Sequence, residues 1–229
     1  MGSPLACLLA NLYMDYFETE LRLTLEDQPC FWYRFIDDII TAWPHGEEKF
    51  KEFLTKLNGL EESINLTSEW EVTNDTGVAT LPFLDVLIHR TPDEVTFSVY
   101  RKPTHSNAYI HYFSHHAPAV KKGVLSGLFL RALRICSKPH LQTELDTLWT
   151  VFKQLGYPDF FIKQAVLSVR CTFHASKSST PAPPTPSDLS GRQDPNSTFP
   201  ISTIPIPANL HFGTFTHYSI PDTIAYSEY

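Results

Sequence analysis

The sequence predicts an α+β fold, in which a small antiparallel sheet packs on helices and an all-helical region follows. In the first hundred residues, apolar positions at helical spacing alternate with short aromatic and β-branched runs that are typical of strands. Beyond Ala117 the apolar residues recur at helical spacing alone. A hydrophobic content of 42% in 229 residues is a globular value, and this length allows one domain with a core and a small appendage.

The first part of the chain is predicted to contain two helices with a hairpin between them. The first helix covers residues 5–26, the hairpin arms cover 30–36 and 39–43, and the second helix covers 47–64. The positions expected to face the core are Leu5, Leu8, Leu9, Leu12 and Tyr16 in the first helix and Phe50, Phe53, Leu54, Leu57 and Leu60 in the second.

Three strands and three helices are expected next. The strands cover residues 66–72, 81–90 and 94–101, with turn chemistry at 74–77. A break at 156–159 starts the last helix, predicted over 160–170. Of these three later helices, the first is marked by Val120, Val124, Leu128, Ala132 and Ile135. The second is marked by Leu141, Leu145, Leu148, Phe152 and Leu155. A plain three-helix bundle and a helix-turn-helix-like bundle both fit this pattern.

Asp37 and Asp38 are the most informative residues, because two adjacent carboxylates stand at the expected apex of an apolar hairpin. Asp tolerates unusual backbone angles and accepts hydrogen bonds from neighbouring amides, so simple turn chemistry is one interpretation. In the other, closely spaced carboxylates at strand ends hold Mg²⁺ for phosphoryl or nucleotidyl transfer.

The residues before the first helix favour the second interpretation. Gly2 would let a nucleotide or a template approach the backbone closely. Ser3 can cap the helix and Pro4 suits its first turn, which leaves backbone amides pointing outward.

Taken in order, these blocks resemble a reverse transcriptase of the Penelope-like retroelement branch. The Gly-Ser-Pro block at 2–4 and the helix after it resemble the block that lines the template and nucleotide pocket. Residues 33–38 resemble the aromatic-X-Asp-Asp hairpin, with Phe35 where Tyr is more usual. Residues 81–86 resemble the primer-grip strand. The segments that resemble the approach to the thumb are 100–105, 114–116 and 120–124, so the resemblance covers about residues 1–170.

The resemblance implies template-directed addition of deoxynucleotides to a primer 3′ end. The implied partners are an RNA template, a DNA primer and deoxynucleotide triphosphates. Asp37 becomes the ligand of Mg²⁺ or Mn²⁺ and Asp38 its weaker neighbour, both in catalytic positions. The nucleotide pocket is assigned to Gly2, Ser3, Pro4 and Phe35. Family members carry another metal-binding aspartate on an upstream strand, so we expect this chain to begin in mid-domain and to bind metal poorly by itself.

The net charge of −7 conceals three regions of different sign. Residues 1–100 hold 6 Lys and Arg against 18 Asp and Glu, residues 101–177 hold 11 against 3, and residues 178–229 hold 1 against 4. The middle block is the predicted contact for a nucleic-acid backbone, by shape and phosphate contact; a solvated helical face is the alternative. Its candidate binding residues are Arg101, Lys102, Lys121, Lys122, Arg131, Arg134 and Lys138.

Histidines and cysteines give no metal motif. The histidines between His105 and His116 fit no familiar ligand spacing, so hydrogen bonds around an aromatic-rich connection are expected there instead of zinc. The four widely spaced cysteines suggest buried reduced thiols in an intracellular protein of the nucleus or cytoplasm. The apolar run at 5–13 lacks preceding basic residues, which disfavours secretion, and no run reaches the length of a membrane span.

The predicted organisation is a partial palm over 1–103, a thumb or helix-turn-helix-like region over 104–174, a disordered Pro/Ser/Thr-rich linker over 175–207 and an unassigned tail over 208–229. The predicted function is a fragment of an RNA-directed DNA polymerase that is incomplete for catalysis alone. A non-catalytic nucleic-acid-binding module and an inactive retroelement remnant are the alternatives.

Overall fold

The computed structural model describes residues 4–178 and 211–216, which belong to two compact units. The first unit contains residues 4–84, 90–93 and 211–216, and the second contains 85–89 and 94–178. The helices are α1 (Pro4–Tyr16), α2 (Glu47–Asn58), α3 (Pro118–Ile135), α4 (Lys138–Gln154) and α5 (Asp159–Ser178). The strands are β1 (Phe31–Phe35), β2 (Asp38–Trp43), β3 (Thr67–Trp70), β4 (Val72–Thr73), β5 (Ala79–Phe83), β6 (Val86–Arg90), β7 (Val95–Val99) and β8 (His211–Thr216). The α+β class is thereby confirmed.

The first unit is built on a four-stranded antiparallel sheet in the order β1-β2-β8-β3. Its core is rich in aromatic side chains from the sheet and from α2, including Trp43, Phe50, Phe53 and Phe215. The predicted inward face of α2 is confirmed, since Phe50, Phe53 and Leu57 are buried and Leu54 and Leu60 pack against them.

The prediction for the first helix is wrong in its length and in its buried face. α1 ends at Tyr16, and a π-helical turn (Phe17–Leu21) and a 3-10 turn (Arg22–Thr24) follow it. The side chains expected in the core are each more than half exposed: Leu5, Leu8, Leu9, Leu12 and Tyr16. Met14 and Phe17 are buried instead. Both sides of α1 are apolar, so helical spacing identified a face but could not say which one packs on the sheet.

The end of α2 and the continuity of two strands also differ from the prediction. α2 ends at Asn58 and does not reach residue 64, because the Asn58 side chain accepts a hydrogen bond from the Leu66 N–H at 2.8 Å and donates to the Leu66 carbonyl at 2.9 Å. The strand expected over 81–90 is interrupted at Leu84, which has a φ of +52°, and Asp85. The strand expected over 66–72 is interrupted at Glu71.

The turn predicted at residues 74–77 is confirmed. The Asn74 side-chain oxygen accepts hydrogen bonds from the N–H groups of Thr76 at 3.1 Å and Val78 at 2.9 Å. Gly77 has a φ of +78°, a conformation that favours glycine. This turn joins β4 to β5, whose register pairs Val72 with Thr80.

In the second unit, β6 and β7 are neighbouring strands and the three long helices share one core. α4 is fixed to β7 at its start, where the Ser137 N–H donates to the Phe97 carbonyl at 2.8 Å and the Phe97 N–H donates to the Ser137 hydroxyl at 3.0 Å. The buried members of this core are Leu125, Phe129, Ala132, Leu148, Phe152, Tyr157, Ile162, Ala165 and Val169. Three helices were predicted here, and three are present in this described stretch.

α5 runs to Ser178, past the predicted end at residue 170 and into the start of the predicted linker. The remainder of that linker, 179–207, lies outside the described residues. Cys7, Cys30 and Cys171 are exposed, so the expectation of buried thiols is wrong for them: Cys7 and Cys171 lie on exposed sides of α1 and α5, and Cys30 lies in the bend before β1. Within the described ranges, no helix is both long enough and apolar enough to cross a membrane.

Glu71 is expected to be a major stabilising residue of the first unit. Its carboxylate accepts hydrogen bonds from Arg90, at 2.9 Å from Nε, and from His211 Nδ1 at 2.8 Å, while its side chain is 3% exposed. Glu71→Ala should lower the free energy of unfolding by about 2–4 kcal/mol, because it leaves the partly buried guanidinium of Arg90 without its partner. Glu69→Ala, at an exposed neighbouring position, should change it by about 0.5 kcal/mol or less. Urea denaturation measures both, and equal effects would contradict this role.

The second unit is expected to lose stability in mild acid. The rings of His89 and His140 stack with centroids 4.3 Å apart, and hydrogen bonds join His89 to Ser98 at 2.8 Å and His140 to Thr96 at 2.9 Å. Burial, and secondarily the charge of His140, lower the pKa of His89. Because the folded pKa lies below the unfolded value of about 6.5, the unfolded chain takes up the proton more readily. Stability is therefore fully present above about pH 6.5 and declines as the pH falls below it.

Urea denaturation at pH 8 and pH 5.5, followed by the helical circular dichroism signal, measures this decline. His89→Gln should reduce the difference between the two pH values. His115→Gln, at an exposed position of the same unit, should leave the difference as it is. A His89→Gln variant with the full pH dependence would show that another group is responsible.

Candidate acidic hairpin and nucleic-acid interface

The turn of the acidic hairpin lies one residue earlier than expected, which shifts the pairing of its two strands by two positions. Phe35 pairs with Asp38, so the two-residue turn is Ile36-Asp37 and Asp38 is already the first residue of β2. A turn at Asp37-Asp38 would place Trp32 opposite Trp43 instead of Thr41. The contacts of Trp32 favour the observed register.

Trp32 and Arg34 of the hairpin both donate hydrogen bonds to the carboxylate of Glu18. Glu18 accepts hydrogen bonds at the same oxygen from Trp32 Nε1 at 2.9 Å and from Arg34 Nε at 2.8 Å. Arg34 Nη1 also donates to the Asn11 side-chain oxygen and to the carbonyl of Ile36, both at 3.2 Å. The guanidinium therefore ties the turn to α1 and to the π-helical turn.

Ile36 carries the backbone strain of this turn. Its φ of +57° lies in the left-handed region, which is unusual for a β-branched residue. Its side chain is 68% exposed, and its neighbours Phe35 and Asp37 are exposed as well. Asp37 is exposed and Asp38 is half-buried, so one carboxylate faces solvent and its neighbour lies at the start of the strand.

The carboxylate oxygens of Asp37 and Asp38 are of the type that a hard divalent cation prefers, but they come from only two side chains. Carboxylate oxygens suit Mg²⁺ or Mn²⁺. Strand β8 lies beside β2 and contains no Asp or Glu. In the described part of the chain, no group of three or more His, Cys, Asp or Glu side chains could hold a metal ion. Within those residues, Asp37 and Asp38 therefore have no third side chain of these types beside them.

The residues predicted to line the nucleotide pocket are described only in part. Gly2 and Ser3 lie outside the described residues. Pro4 is the first residue of α1, and Phe35 is 56% exposed at the end of β1. The proposed primer-grip segment at 81–86 contains the end of β5 and the start of β6.

Three of the seven cations in the predicted binding set make contacts inside the second unit. Arg101 forms two hydrogen bonds with Glu144, one of them at 2.7 Å, and these bonds raise the pKa of Arg101. Lys121 donates to the carbonyls of Tyr112 at 2.6 Å and Ser114 at 2.7 Å. Arg131 lies 3.2 Å from the Asp85 carboxylate. These contacts give the three side chains a structural role, and their predicted role in binding stays a prediction.

The other four are at least partly accessible: Lys102 and Arg134 are exposed and Lys122 is half-exposed. Lys138, at the start of α4, is exposed as well. Lys163 and Arg170 are exposed on α5 and were not among the predicted contacts. Helical spacing could have found them, because the buried residues Ile162, Ala165 and Val169 define the opposite side of the helix.

α5 therefore presents a single exposed face of mixed character. Phe160 and Leu167 are 65% and 63% exposed, and Lys163, Gln164 and Arg170 lie among them at helical spacing. This face combines cations with an amide that can donate and accept hydrogen bonds. Such a surface can contact phosphates and base edges.

A four-residue turn, residues 155–158, joins α4 to α5. Gly156 has a φ of +81°, and a Cβ at this position would lie 3.2 Å from the Phe113 ring. Tyr157 is buried in the turn and its hydroxyl donates to the Ile110 carbonyl at 2.9 Å. Two helices joined by a short glycine-containing turn are the arrangement of a helix-turn-helix motif.

The segment before α3 makes the hydrogen bonds that were expected around it. His105 is hydrogen-bonded to the Tyr109 hydroxyl at 3.1 Å, and His116 to the Ser114 hydroxyl at 3.1 Å. The Phe113 N–H donates to His111 Nδ1 at 3.3 Å. His105, His111, His115 and His116 are all exposed.

Comparison with known proteins gives one positive finding. A family model described as the animal helix-turn-helix domain matches residues 108–166, from the aromatic segment before α3 to the first half of α5. No curated protein and no solved structure matches the chain. The prediction of a helix-turn-helix-like region in the second unit is confirmed by this match.

Proposed function

We propose that the chain binds nucleic acid through the helix-turn-helix region of its second unit. The match of residues 108–166 to the animal helix-turn-helix domain is the observation that carries this proposal. Helix-turn-helix modules place their second helix against nucleic acid, and α5 occupies that position after the turn at 155–158.

The charges of this region support the proposal. The 11 Lys and Arg against 3 Asp and Glu in residues 101–177 favour a polyanionic partner. The acidic side chains of this block are engaged: Glu144 pairs with Arg101, Asp159 with Lys153 at 2.8 Å, and Asp146 accepts a hydrogen bond from Gln142. The sequence of α5 itself contains three basic residues and one acidic residue, Asp159.

α5 provides a long contact surface. Its 20 residues span about 30 Å at 1.5 Å per residue. Lys163 and Arg170 lie two helical turns apart on the same face, so they can reach phosphates along one groove. We propose an RNA template paired with a DNA primer as the partner, held by shape and phosphate contacts.

A second candidate function is that of a palm and thumb fragment of a Penelope-like reverse transcriptase. The hairpin favours it: Asp37 is exposed at the tip, Asp38 opens β2, and the aromatic Phe35 precedes them. On this proposal Asp37 and Asp38 hold Mg²⁺ or Mn²⁺, and the deoxynucleotide triphosphates are substrates. The described residues offer two carboxylates there, fewer than a two-metal site uses, so we derive no catalytic step.

Lys163→Ala tests the binding proposal. The variant should bind an RNA–DNA duplex about fivefold more weakly, a loss of about 1 kcal/mol, because one exposed cation no longer contacts a phosphate. The slope of log K against log salt should fall by about 1. Lys56→Ala, an exposed lysine of the first unit, is the matched control and should change neither value.

Fluorescence anisotropy of a labelled duplex at several salt concentrations measures both quantities. An unchanged salt slope in Lys163→Ala would remove α5 from the interface. A wild-type chain that shows no salt-dependent binding would contradict the function itself.

Asp37→Asn tests the polymerase proposal. If the chain extends an oligo-dT primer on poly-rA with Mg²⁺, the variant should lose that activity, because it removes the exposed carboxylate of the hairpin. Asp75→Asn, on the exposed turn at 74–77, is the matched control and should keep it. Duplex binding without extension by the wild-type chain would favour the binding module or an inactive remnant.

A further inference from the structure

Strand β8 lies in the middle of the sheet of the first unit, although it comes last among the described elements. It pairs antiparallel with β2, where Ile39 faces Phe215, and antiparallel with β3, where Trp70 faces Gly213. In the sheet order, β2 and β3 meet only through β8. Without β8, a strand-wide slot would separate them, with unpaired backbone groups along both sides.

The slot has specific side-chain requirements. Phe215 is fully buried, with its ring centroid 5.2 Å from that of Phe50 and 5.1 Å from that of Trp32. Phe212, on the other face of the strand, is 5% exposed. At Gly213 a Cβ atom would lie 2.9 Å from Phe50 Cζ. The slot therefore accepts an extended segment with aromatic residues at positions 212 and 215 and no side chain at position 213.

The connection to β8 permits more than one source for the strand. Residues 179–210, 32 in number, separate the end of α5 from His211. A connection of this length can reach at most about 115 Å when extended. The same residues of a second copy would make the same hydrogen bonds and ring contacts, so exchange of the strand between copies creates no new interface to be optimised.

We propose that the slot between β2 and β3 is a strand-acceptor site, and that a second copy of this chain can fill it with its own His211–Thr216. Two chains that exchange these strands form a dimer with two complete sheets. The strand of the same chain has an effective concentration in about the millimolar range, so the exchanged dimer forms when the chain refolds at high protein concentration. This site is independent of the proposed nucleic-acid interface.

The first experiment uses the full chain with Gly213→Val, which adds a side chain where Phe50 leaves no room. A labelled peptide of residues 208–219 is titrated against this variant and against the wild-type chain. The peptide should bind the variant at least tenfold more tightly than the wild-type chain, whose slot its own strand fills. The same peptide with Gly213→Val should bind the variant at least tenfold more weakly.

Fluorescence anisotropy measures binding, and tryptophan emission reports whether the peptide restores the core of a variant that is otherwise unfolded. A peptide that neither binds nor restores the variant overturns the acceptor site. So does a peptide that binds equally well with Val at position 213.

The second experiment tests the second copy as occupant. Wild-type chains with a large and a small tag are unfolded in urea together and refolded at increasing protein concentration. Mixed dimers should increase with concentration and should be absent when both chains carry Gly213→Val. Refolding to monomers alone at every concentration overturns strand exchange between copies.

Discussion

The first unit depends on the fit of β8 against the aromatic core that α2 and β2 build. Phe215 closes that core, and Gly213 lets the strand approach Phe50 closely enough to pair with its neighbours on both sides. The acidic hairpin depends on the same fit, because β2 is held between β1 and β8. The position of Asp38 is therefore set by residues about 175 positions later in the chain.

The basic residues of the second unit lie in two different environments. Arg101, Lys121 and Arg131 are joined to a carboxylate or to backbone carbonyls, where a partly desolvated cation gains more than it does in water. Lys163 and Arg170 remain on the exposed face of α5, where a cation costs little to solvate and can release counterions from a phosphate backbone. A count of basic residues does not separate these roles; the structure does.

The sequence predicted those parts of the fold that depend on local pattern. The inward face of α2, the turn at Asn74 and the three helices of the second unit follow from spacing and turn chemistry. α1 was assigned the wrong buried face because both its sides are apolar, and only contact with the sheet selects Met14 and Phe17. β8 has six residues without a clear period, and its pairing partners are remote in sequence, so no local signal could identify it. Of the candidate site, the Asp pair was predictable, whereas its register was not.

The strain at Ile36 is a consequence of that register. A β-branched residue in the left-handed region costs on the order of 1–3 kcal/mol and persists only where the surroundings determine it. Two sets of contacts determine the conformation of this turn. Trp32 is fixed by Glu18 and by its contact with Phe215, and Arg34 donates a hydrogen bond to the Ile36 carbonyl. Moving the turn by one residue would relieve Ile36 but would displace Trp32 by two positions along β2. The aromatic core therefore outweighs the strained turn and keeps Asp37 at the exposed tip.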